Sequence, residues 1–93
     1  MSDPVSRAET LGLAVWDFIA DRAHKNEAER EGLHDAANAL LFDDAARKSD
    51  APIVMQGRRL AHAVLAWGFG DWSPEGFKRL ERASRTFEEF RIS

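Results

Sequence analysis

The stretch Trp67-Gly-Phe-Gly-Asp-Trp-Ser-Pro-Glu75, with the continuation Gly76-Phe-Lys-Arg-Leu-Glu-Arg-Ala-Ser-Arg-Thr-Phe-Glu-Glu-Phe-Arg91, decides the fold. Gly68 and Gly70 can adopt the positive φ that ends a helix, Ser73 is placed as an N-cap, and Pro74 suits the first position of the next helix. Over residues 74–91, Phe77, Leu80, Ala83, Ser84, Phe87 and Phe90 share one side, and Lys78, Arg82 and Arg85 form a row on the other. That three-and-four spacing is the mark of an amphipathic helix. The aromatic residues of the turn, Trp67, Phe69 and Trp72, read first as a cluster locking two helices together. Their second reading is an edge that meets a partner.

Working back along the chain, Leu60, Val64 and Trp67 make the inner line of a preceding helix, flanked by Ala61 and Leu65. Gly57 lowers helix propensity there by roughly 1 kcal/mol relative to alanine, and it suits a close crossing against small residues. Arg47–Pro52, with Ser49 and Asp50, reads as a linker into this helix. Further upstream, Leu33, Ala36, Ala37, Leu40 and Leu41 give a helical stripe that begins near residues 25–27, where Asn26 and Glu29 resemble a weak capping box. Phe42 points about 100° beyond Leu41. The favoured reading packs it under the following loop, and the alternative leaves it as an exposed anchor. After a short polar start, Leu11, Ala14, Val15, Phe18 and Ile19 define the first helix. Leu13, Trp16 and Ala20 widen its apolar arc, so this helix is expected to be the most enclosed, by the rest of the chain or by a second subunit.

The expectation is therefore an all-α fold: a single small helical domain spanning residues 1–93, a compact bundle of about four helices that is able to dimerise. Ninety-three residues allow one domain and only a small core. Six Phe and three Trp supply much of its bulk. The absence of cysteine excludes disulfides and thiolate metal sites. Neither an export signal nor a membrane span fits the start of the chain, where Asp3, Asp17, Asp21 and Arg22 interrupt the apolar run, so a cytoplasmic protein is expected.

Charge is unevenly distributed. Residues 1–46 hold 4 Lys/Arg against 10 Asp/Glu, and residues 47–93 hold 9 against 6, beneath a net charge of −3. Such asymmetry can steer a partner or pair two subunits. No nucleophile, phosphate cradle or cofactor motif accompanies it, and no cofactor is expected. Asp21-x-x-His24 and Glu31-x-x-His34 have the spacing of bundle metal ligands but no inward glutamate to complete a site. They are read as surface or capping groups, as is His62. Asp43 and Asp44 read as a solvated helix end.

These features lead to a small non-enzymatic regulatory or inhibitory protein that binds another macromolecule, in the first place a protein, through Phe42, Trp72, Lys78, Arg82 and Arg85. Guanidiniums can meet carboxylates bidentately and the aromatics can fill a pocket. The alternative is nucleic-acid binding by Arg47, Lys48, Arg58, Arg59, Lys78, Arg79, Arg82 and Arg85, should the last two helices lie antiparallel and gather these cations on one face. The acidic strip from Asp17 to Asp21 could also meet the basic row of a second copy. A small metal-binding protein is the least favoured reading.

Overall fold

Helix starts set the architecture. The computed structural model describes residues 3–20, 27–68 and 74–92, and among these residues the chain forms α1 (Pro4–Ala20), α2 (Glu27–Leu41), α3 (Asp44–Lys48), α4 (Pro52–Gly68) and α5 (Pro74–Ile92). Three of the five begin at proline, whose fixed φ and missing N–H suit the first helical position. At α1 the preceding Asp3 completes the cap: its Oδ1 accepts from Ser6 N at 2.7 Å, and its carbonyl accepts from Arg7 N at 3.1 Å.

The bundle is all-α and alternates in direction. Ala8 lies against Gly57 and Phe18 against Trp67, the same offset along both helices, so α1 and α4 run parallel. Arg7 Nη1 donates to the Ala39 carbonyl at 3.4 Å, which makes α2 antiparallel to α1. Helix α4 packs against α1, α2 and α5, with α2 and α5 on opposite sides of the α1/α4 pair. The crossing needs small residues. A Cβ at Gly57 would sit 2.6 Å from Ala8 Cβ and 3.3 Å from Leu40 Cδ2, so glycine lets three helices converge. A Cβ at Gly12 would overlap the edge of the Phe87 ring, which fixes how closely α1 meets α5.

The core comprises Leu11, Val15 and Phe18 of α1, Leu33 and Leu40 of α2, Val54, Leu60, Val64 and Trp67 of α4, and Leu80 and Phe87 of α5. Trp67 is its aromatic centre, edge-on to Phe18 at 5.4 Å and to Phe77 at 6.5 Å. Such contacts contribute about 0.5–1.5 kcal/mol each beyond simple burial. The locking role expected of the aromatic turn thus holds for Trp67, whereas Phe69 and Trp72 lie outside the described residues. The chain's radius of gyration, 12.4 Å, matches the roughly 12 Å of a compact chain of this length. None of the described helices is long and apolar enough to cross a membrane.

Four expectations need correction. Arg47 and Lys48 belong to α3, so the linker shrinks to residues 49–51; there Ser49 Oγ accepts from Ala51 N at 3.2 Å. Asp43 is the N-cap of α3, accepting from Ala45 N at 3.2 Å, and its Oδ2 lies 3.9 Å from Arg7 Nε; only Asp44 is the solvated acid. Phe42 is not covered by the following loop: it is 77% exposed, because the chain turns at Asp43 straight into α3. Within one copy of the chain α1 is not the most enclosed element, which leaves covering by a second subunit as the surviving form of that expectation. Leu13 (60% exposed) and Trp16 (45%) leave one face bare, and α4 takes the central place.

Candidate functional site

Helices α4 and α5 are antiparallel. Trp67 near the end of α4 meets Phe77 near the start of α5, while Gln56 near the start of α4 shares a groove with Thr86 and Phe87 far along α5. On α4 the spacing of Gln56, Arg59 and Leu60 puts them on one stripe; on α5, Arg79, Arg82, Ala83 and Thr86 do the same. Where the stripes face each other the surface sinks into a groove of about 370 Å³. Its back is apolar, with Leu60 and Phe87 almost fully buried, and its rims carry the exposed guanidiniums of Arg59, Arg79 and Arg82. Among the described residues no carboxylate lines it. Arg59 and Arg82 have no ion pair among the described residues.

Such a groove can receive an anionic group that also presents apolar surface. Each guanidinium is a planar fork of donors that matches a carboxylate or phosphate two-toothed. Gln56 and Thr86 add neutral hydrogen-bonding groups at one end.

The other expected site residues are dispersed. Lys78 is exposed but does not line the groove. Arg85 turns to the opposite flank of α5, where it borders a hollow shared with α1 and pairs with Glu81 at 3.5 Å. Arg58 is half-buried beside Arg59, and Arg47 and Lys48 sit on α3, with Arg47 3.9 Å from Asp44. Phe42 projects from the end of α2, and Trp72 lies outside the described residues. Arg91 forms a two-toothed contact with Glu88, Nη2 to Oε2 at 2.8 Å; this hydrogen bonding, aided by the charges of Glu88 and Glu9, pushes its pKa above the ordinary arginine value.

Of the histidine spacings, Glu31 is exposed and His34 half-buried; Asp21 and His24 lie outside the described residues. Among the described residues no group of three or more His, Asp or Glu converges. His62 is exposed. The sequence reading missed Gln56 and Thr86 as members of the site. Their signal was the i,i+3 step from Gln56 to Arg59 and the i,i+4 step from Arg82 to Thr86, which becomes informative only when the two helices are known to be antiparallel.

No protein-family model, curated protein or solved structure matches the chain.

Proposed function

We propose that the chain is a small non-enzymatic regulatory or inhibitory protein that grips an acidic, partly apolar segment of another protein along the α4–α5 groove. The observation that carries this reading is the meeting of Arg59 and Arg82, from two helices and without an ion pair among the described residues, over an apolar floor with no acid among the described lining residues. Two-toothed contacts would fix the partner's carboxylates, and its apolar side chains would lie over the Leu60 and Phe87 side of the groove.

A protein partner is favoured over nucleic acid by the state of the remaining cations. Arg47, Arg85 and Arg91 each face a carboxylate on their own helix, at 3.9, 3.5 and 2.8 Å. Tracking a phosphate backbone calls for an extended positive face, whereas here Arg59, Arg79 and Arg82 share one short groove and Lys48, Arg58 and Lys78 lie outside it.

The test is affinity capture from native extract by the untagged chain and by its Arg59→Glu/Arg82→Glu variant, each with and without nuclease. The expected result is a defined, nuclease-resistant protein held at least tenfold more weakly by the variant, the loss that follows when central arginines are reversed. Recovery unaffected by the double reversal would sink the assignment to this groove. Material that disappears on nuclease treatment would transfer the same cations to nucleic acid.

A further inference from the structure

The bare face of α1 leads to a second contact, independent of the α4–α5 groove. Leu13, Trp16 and Ala20 are all exposed, and their spacing sets them along one line of the helix. Beside Trp16, between α1 and α5, lies a hollow of about 260 Å³ walled by Trp16, Ile19, Ala20, Glu81, Ser84 and Arg85. A projecting indole and a recess of partly apolar character are therefore neighbours on the same patch. That is what a two-fold contact between identical surfaces requires, because each copy must present both the knob and the hole close to the axis.

Charge points to the same occupant. The exposed charged residues of α1 are Glu9 and Asp17, both acidic, and its one arginine, Arg7, is half-buried against Asp43. On the flank of α5 that borders this hollow Arg85 is exposed and pairs with Glu81, and Lys78, two turns earlier on the same line of the helix, is exposed as well. Glu9 and Arg91 are close enough to influence each other, and Gly12 lies against Phe87, so α1 and α5 run antiparallel at this surface. A two-fold axis near Trp16 sets α1 of one copy across α5 of the other, acid against base.

We propose that two copies of this chain associate through α1, with Trp16 of each entering the α1–α5 hollow of the other and Asp17 facing the partner copy's basic helix. Leu13 extends the apolar strip at one end and Ala20 at the other. The contact closes as a dimer.

Sedimentation equilibrium over about 2–200 μM, a range spanning the affinity of a small interface, tests this directly. The expected result is a concentration-dependent monomer–dimer equilibrium, weakened at least tenfold by Trp16→Ala and by Leu13→Glu. Both positions are exposed, and unchanged far-UV circular dichroism separates lost association from lost folding. The Arg59→Glu/Arg82→Glu variant, altered on the other flank of α5, should retain dimerisation. A single monomeric mass across the range, a dimer indifferent to Trp16→Ala, or open-ended assembly would each overturn the proposal.

Discussion

Substituting Gly57 by alanine tests whether α1, α2 and α4 meet as closely as the fold requires. The added Cβ would lie 2.6 Å from Ala8 Cβ, 3.2 Å from Ala8 Cα and 3.3 Å from Leu40 Cδ2, and Ala8 and Leu40 are both fully buried. Two of these three atoms belong to an alanine, which has no flexible end to swing aside. Ordinary contact therefore demands that α1 and α4 separate by roughly 1 Å, disturbing the Phe18–Trp67 edge contact further along the same pair. Overpacking of this kind costs about 1–3 kcal/mol, against a helix-propensity gain of about 1 kcal/mol. The backbone contact places the cost in the upper part of that range, for a net loss of about 1–2 kcal/mol. In a domain of this size that lowers Tm by roughly 5–15 °C. Gly32→Ala is the control. It is exposed in α2 with nothing within 4 Å of its added Cβ, so only the propensity gain applies, and stability should rise by about 0.5–1 kcal/mol. Adding Ala8→Gly to Gly57→Ala removes the shortest contact, and the double variant should lie at least about 1 kcal/mol above the sum of the single effects. Thermal and urea unfolding followed by circular dichroism read the parent, the three single variants and the double variant. If Gly57→Ala melts at or above the parent temperature, or the two substitutions simply add, the close three-helix approach is refuted.

Two further substitutions probe single groups. Asp43→Ala removes the N-cap of α3 together with the partner of Arg7 and should cost about 1–2 kcal/mol in urea unfolding, whereas Asp43→Asn keeps a capping oxygen and should lose less; equal losses would show that the cap contributes nothing. Ser84 is 1% exposed and its hydroxyl has no hydrogen-bond partner among the described residues, so Ser84→Ala removes a desolvated polar group and should be neutral or stabilising by up to about 1–2 kcal/mol. A clear destabilisation would mean that the hydroxyl is satisfied in solution.

Periodicity made α5 and α4 legible, because long helices with one covered face repeat their apolar residues often enough to be read. Leu60, Val64 and Trp67 are buried as expected, and Gly57 sits at the close crossing its presence in a helix implied. Helix α3 escaped notice because five residues carry no period; its only signal was an aspartate before another aspartate, which looks like a solvated end until the cap is seen. The Asp3-Pro4 start of α1 used the same grammar as Ser73-Pro74, yet without a helix ahead of it there was no turn to frame it. A helical wheel counts apolar residues without saying what covers them, so the wide arc of α1 does not distinguish enclosure within one copy from a face left for a second subunit. Helix α4 looked less enclosed because it carries Arg58, Arg59 and His62, but Gly57 and Ala61 let neighbours approach from two sides.

Helical spacing acts in the same way at the candidate site. Lys78, Arg82 and Arg85 looked like one row because steps of three and four residues differ by less than a third of a turn. In the bundle that difference is decisive, since the ridge of α5 runs between Arg82 and Arg85 and sends them to separate hollows. Arg85 meets Glu81, while Arg82 joins Arg59 and Arg79 from across the groove. Charge asymmetry along the chain thus becomes two different surfaces, one cationic between α4 and α5, the other apolar and acid-edged along α1. The two proposed contacts accordingly use different flanks of α5. A dimer closed through Trp16 would leave both α4–α5 grooves facing outward, and a partner with two acidic segments could then engage both at once, with the second binding step made intramolecular.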